Sequence, residues 1–106
     1  MLDIEWFRSK IKASDYELTS HANEERQAEM VSIEDLEKAV LAGEVIEDYE
    51  SRKDSRGHSC LIYGPCEDES PLHVVVAKTP QGDMRVCTVY RPEEEKFKDG
   101  KKRRIK

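Results

Sequence analysis

Residues 32–50 read SIEDLEKAVLAGEVIEDYE, and the period of the apolar residues changes inside them. Up to Ala42, Ile33, Leu36 and Val40 recur at helical spacing with Ala39 beside them. Ser32 followed by Asp35 resembles a capping box, and Gly43 stands where a helix-ending C′ glycine would. After Gly43 the apolar residues alternate. Four such runs follow, at residues 45–50, 60–64, 72–78 and 84–91, with turn residues between them. Pro80-Gln-Gly-Asp83 is a short connection containing glycine, so the last two runs are expected to form an antiparallel hairpin. Upstream, Ile4, Phe7 and Ile11 define one amphipathic helix, its stripe widened by Leu2 and Trp6. Tyr16-Glu-Leu is a short extended stretch, and Ser20 can cap a second helix over about residues 21–30, whose apolar face is thin. Helices first and consecutive strands afterwards is the α+β order. The expected fold is N-terminal helices packed on a four-stranded, largely antiparallel sheet spanning residues 45–91.

A chain of 106 residues accommodates one domain, here residues 1–95, followed by a basic tail at 96–106. The tail carries seven bases and one acid. The net charge of −5 therefore leaves residues 1–95 with 11 bases against 22 acids, a balance of −11. A basic run of this kind is either a solvated terminus or an arm that meets phosphates or an acidic partner. No stretch approaches the ~20 apolar residues of a membrane span. The opening MLDIEWFR places acids where a secretory signal carries bases, so the cytoplasm is the expected compartment. Three cysteines in such a chain are expected as reduced thiols, Cys60 and Cys87 packing as small apolar groups and Cys66 lying in a charged loop.

Imidazole exchanges protons near neutrality, which makes the three histidines the first candidates for chemistry. His21 would lie in the first turn of the second helix, where the helix dipole favours a neutral base and also attracts anions. The plain alternative is that it caps or packs that helix. His73 opens the run Leu-His-Val-Val-Val, on one strand face with Val75 and Ala77, and its plain alternative is a half-buried structural histidine. His58, in Arg-Gly-His-Ser, reads as exposed. Along the last run Met84, Val86, Thr88 and Tyr90 are expected on one face and Arg85, Cys87, Val89 and Arg91 on the other. Arg85 and Arg91, with Tyr90, are donors suited to gripping a phosphate and protonating a leaving oxygen. His58, Cys60, Cys66 and His73 supply four soft ligand types, but their spacing fits no zinc knuckle and no metal site is expected. Phosphate-binding glycine loops, nucleophile elbows and zincin helices are absent.

Leu18-Thr-Ser-His21-Ala22 with Glu25, Ser32-Ile-Glu-Asp, Gly43-Glu-Val-Ile-Glu-Asp-Tyr49, Ser59-Cys-Leu-Ile-Tyr-Gly64, Pro71-Leu-His73-Val-Val-Val and Thr88-Val-Tyr-Arg-Pro92 occur in this order. Together they resemble the bacterial domain of unknown function 4258 family, over about residues 15–98. Two positions depart from the family pattern: Glu25 stands where many members carry Arg, and Phe97 where the usual residue is Trp. The family is similar in layout to RelE-like and MqsR-like toxins, and its members are often encoded beside small zinc-finger antitoxin-like proteins. What the resemblance implies is a metal-independent ribonuclease of a toxin–antitoxin pair, with RNA as substrate, no cofactor, and His21, His73 and Tyr90 as motif positions flanked by Arg91.

Two readings follow. In the enzymatic one, His21 or His73 is the base, Tyr90 or the other histidine the acid, and Arg85, Arg91 and the tail hold phosphates. The −11 body opposes it, since such a charge repels RNA across a Debye length of about 8 Å. In the other, the protein is a non-catalytic binding module whose motif histidines fix the helix against the sheet.

Overall fold

A computed structural model describes residues 3–49, 57–92, 97–98 and 102–103. Asp3 caps the first helix by accepting the Glu5 amide, and α1 (Ile4–Lys12) buries Phe7 and Ile11. A two-residue strand, β1 (Glu17–Leu18), leads into α2 (Ser20–Ala28). The cap of α2 is Thr19 rather than the expected Ser20, because the Thr19 hydroxyl accepts the Ala22 amide. In α3 (Ile33–Ala42) the capping box forms as read: Ser32 Oγ accepts the Asp35 amide and Asp35 accepts the Ser32 amide.

Gly43 ends α3, but in extended conformation (φ −92°, ψ −174°) and not as a left-handed C′ glycine. Its requirement is space. A Cβ there would lie 2.3 Å from the Ala39 carbonyl oxygen and 2.5 Å from that of Tyr63. The strands are β2 (Glu44–Asp48), β3 (His58–Pro65), β4 (Pro71–Lys78) and β5 (Met84–Tyr90). β6 (Phe97–Lys98) and β7 (Lys102–Arg103) form a separate antiparallel pair within the segment read as a basic tail.

The main sheet has five strands in the order β1-β5-β4-β3-β2, and not four. β2, β3, β4 and β5 pair antiparallel as expected, including the hairpin across residues 79–83. β1 adds a parallel edge, Glu17 opposite Arg85 and Leu18 opposite Val86, so the sheet is mixed. One face of this sheet and all three helices share a core. Cys60, Ile62, Leu72, Val74, Val76, Met84, Val86 and Val89 pack there against Phe7, Ile11, Ala22, Leu36, Ala39 and Val40. Burying each of the larger aliphatic or aromatic side chains stabilises the fold by about 1.5–3 kcal/mol.

A bulge changes the alternation expected for β5. Thr88 pairs with Val75 while Val86 pairs with Val76, so Cys87 is an extra residue. Val89 consequently returns to the core face with Met84 and Val86. Tyr90, expected beside those two, opposes His73 on the face away from the helices. One further expectation fails: His58, read as exposed, is half-buried against Asp48. Cys66 lies in the charged loop after β3 as read, and there it is turned inward to 1% exposure. Among the described residues no helix is long and apolar enough to cross a membrane.

Candidate functional site

The second helix is tied to β5 mainly by polar contacts. Ala22 is the one buried residue among Ser20–Ala28, which accords with the thin apolar face of its sequence. Thr19 donates its amide to Val86 O and its hydroxyl to Cys87 O, fixing the start of α2 on the strand. Further along, Glu25 Oε1 accepts the Val89 amide at 2.9 Å and Glu29 Oε1 accepts the Arg91 amide at 3.2 Å. The sequence carries a signal for this arrangement that periodicity in apolar residues misses: two carboxylates four apart on one helical face.

Between these elements runs an open groove of about 620 Å³, lined by Glu25, Ala28, Glu29, Val89, Tyr90, Arg91 and Pro92. Arg91 forms its far wall and is firmly anchored. Its Nε donates to Glu29 O at 3.2 Å, and its Nη1 donates to Ser70 Oγ at 2.9 Å and to Cys66 Sγ at 3.8 Å. Buried Cys66 is thereby part of the support of the groove.

The candidate residues fall into three places. His21 occupies the first turn of α2, its side chain 68% exposed and its Nε2 3.2 Å from Glu25 Oε2. His73 is wholly buried on the helix-free face, sharing a hydrogen bond from Nδ1 to Tyr90 Oη at 3.3 Å. The rings of Tyr63, His73 and Tyr90 stack edge to face along one row of the sheet, with centroids 5.8 and 5.2 Å apart. Tyr90 is common to this row and to the groove. Arg85 lies at the β1 edge, its Nε donating to Glu17 Oε1 at 2.7 Å. The register therefore unites His73 with Tyr90, and α2 brings Glu25, near His21, to the groove that Tyr90 and Arg91 line.

His58 and Asp48 form a second polar pair at the β2–β3 end, Nε2 to Oδ1 2.5 Å, with the two side chains 15% and 17% exposed. Nearby Cys60 is fully buried, and burial reinforced by the Asp48 charge pushes its thiol up to about 12. That rules it out as a ready thiolate nucleophile. Among the described residues no group of three or more His, Cys, Asp or Glu side chains is placed to hold a metal ion.

A family model described as domain of unknown function (DUF4258) matches residues 18–91. No curated protein and no solved structure matches the chain.

Proposed function

The chain belongs to the DUF4258 family, and we propose that it acts there as a protein-binding module whose acid-rimmed groove between α2 and β5 receives a cationic segment of a partner. The observation that carries this reading is the state of the groove's charges. Glu25 and Glu29 stand on one wall, and the one arginine among the lining residues, Arg91, has its Nε and Nη1 engaged by the neutral acceptors Glu29 O, Ser70 Oγ and Cys66 Sγ, so the lining sets two acids against one base. A phosphate entering here meets two carboxylates against a single guanidinium, whose Nε and Nη1 are already committed to supporting the strand end. At about 4 Å each unit repulsion amounts to about 1 kcal/mol in water and several times that where water is excluded. A Lys or Arg side chain meets the opposite field. Arg85 cannot shift the balance, since Glu17 occupies it. The body charge, 11 bases against 22 acids over residues 1–95, acts in the same sense at longer range. In this reading His73 is a structural member of the aromatic row. The small zinc-finger antitoxin-like protein implied by the family resemblance is the first partner to assay.

A second reading, metal-independent cleavage of RNA by a toxin-type ribonuclease, is favoured by His21. It is the exposed imidazole of the site, and the nearby carboxylate is fixed by the Val89 amide instead of swinging freely. In that reaction His21 takes the 2′-hydroxyl proton, the 2′-oxygen attacks phosphorus, and the P–O5′ bond breaks as Tyr90 protonates the leaving 5′-oxygen. Arg91 neutralises the phosphorane, and His73 orients Tyr90 through the 3.3 Å contact. The products are a 2′,3′-cyclic phosphate and a 5′-hydroxyl.

Fluorescence anisotropy with a labelled Lys/Arg-rich peptide and a labelled RNA of equal length, at physiological salt, separates the two. The binding-module reading expects the peptide to bind, the RNA to stay free and uncut, and Glu29→Gln to weaken the peptide several-fold. RNA cleavage by the parent protein in EDTA, lost in a folded His21→Ala variant, would transfer the assignment to the second reading.

A further inference from the structure

Two kinds of cover protect the outer side of β5. Upstream, β1 lies parallel to it, and the chain leaves the sheet where Thr19 N donates to Val86 O. From Val89 onward, among the described residues, no strand pairs that side. The outward amides of Val89 and Arg91 are taken instead by the carboxylates of Glu25 and Glu29. The geometry explains why this works. Four residues of α-helix rise about 6 Å, and two residues of strand advance about 6.6 Å. Carboxylates four apart on a helix thus copy the carbonyl ladder of an absent strand, and they blunt an edge that would otherwise pair with another chain.

This cover is replaceable. Within α2 only Ala22 is buried, and the hydrogen bonds that tie the end of the helix to the downstream half of β5 are these two and the Arg91 contact to Glu29 O. Resting on the binding-module reading above, we propose that the edge from Val89 to Arg91 is a strand-docking site for an extended partner segment with Lys or Arg at alternate positions. Backbone carbonyls of the segment replace the carboxylates on the two amides. The released carboxylates of Glu25 and Glu29 then take its basic side chains, whose i, i+2 spacing on a strand matches the helical spacing of the acids. Every hydrogen-bonding group exchanges one partner for another, and the gain comes from the new ion pairs and from contact with Ala28, Val89 and Pro92 in the groove. A polyproline or helical cationic segment supplies the charge but not the carbonyl ladder.

Titration of the intact chain with two peptides of equal charge tests this: Thr-Lys-Val-Arg-Val-Lys-Thr and its strand-incompatible counterpart Thr-Lys-Pro-Arg-Pro-Lys-Thr. Strand docking predicts that the first binds about tenfold or more tighter, with amide hydrogen exchange at Val89 and Arg91 slowed in the complex. Equal affinity for both peptides overturns strand docking and leaves the cation-binding groove standing. Failure of both peptides to bind overturns the groove assignment as well.

Discussion

Replacing His73 by alanine is expected to cost about 3 kcal/mol of folding stability, through loss of packing more than of chemistry. The side chain is wholly buried and touches two aromatic rings, at centroid distances of 5.8 and 5.2 Å. Truncating a buried side chain of this size costs about 2–4 kcal/mol, with the cavity left behind as the main variable. Removing the hydrogen bond to Tyr90, itself only half-buried, adds about 1 kcal/mol. For a domain of this length the total corresponds to a fall in Tm of about 12–20 °C. His21→Ala is the control. Its side chain is 68% exposed and its helical i, i+4 contact with Glu25 is worth about 0.5 kcal/mol or less, so its Tm should move by no more than a few degrees. Thermal and urea unfolding followed by circular dichroism measure both. A His73→Ala protein that melts within about 2 °C of the parent would refute the structural assignment of this histidine.

Gly64→Ala should be far more damaging than its size suggests, about 3 kcal/mol or more, since the new Cβ would lie 2.0 Å from the Ala39 carbonyl oxygen and α3 would have to leave β3. Gly82→Ala meets no atom within 4 Å and should lose only about 1 kcal/mol from its positive φ; urea midpoints of the two variants check the contrast. In native buffer at pH 8, half-buried Cys87 should react with Ellman's reagent while Cys60 and Cys66 wait for unfolding, because both are buried and the Cys60 thiol is pushed up to about 12. Three fast thiols would contradict that packing. The Asp35 carboxyl is held below its ordinary 3.8 by the Glu67 amide first and the Ser32 amide second. Its contribution to stability is therefore full above that value and disappears as pH falls through the depressed one. Between pH 5 and pH 3 the urea midpoint should drop more in the parent than in Asp35→Asn.

The elements whose signals are local were legible in the residues. The capping box at Ser32, the change of period at Gly43 and the turn at residues 79–83 each depend on neighbours in the chain, and α3 and the β4–β5 hairpin lie where those signals put them. The extended stretch at Glu17 and Leu18 was read, but its place as a fifth strand escaped, because two residues carry no period that would assign them to a sheet. What holds them is pairing with a strand almost seventy residues away. The bulge at Cys87 escaped for a related reason. Alternation along β5 can be counted from the sequence, but an inserted residue is defined only against β4, and it moves Val89 into the core and Tyr90 beside His73. At the candidate site, the residue types were readable while their partners were not. His73, Tyr90 and Arg91 were singled out as groups able to do chemistry. Burial, Glu29 and Ser70, which decide how that chemistry is constrained, come from other elements.

The central claim is that the groove between α2 and β5 selects a cationic polypeptide over a nucleic-acid phosphate. A backbone amide titration by NMR tests it most directly, adding first the alternating Lys/Arg peptide and then, to a fresh sample at the same physiological salt, a short single-stranded RNA. The account predicts that the peptide shifts Ala28, Glu29 and Val89 through Arg91 while the RNA leaves those signals in place. RNA-induced shifts at the same amides, with none from the peptide, would contradict it.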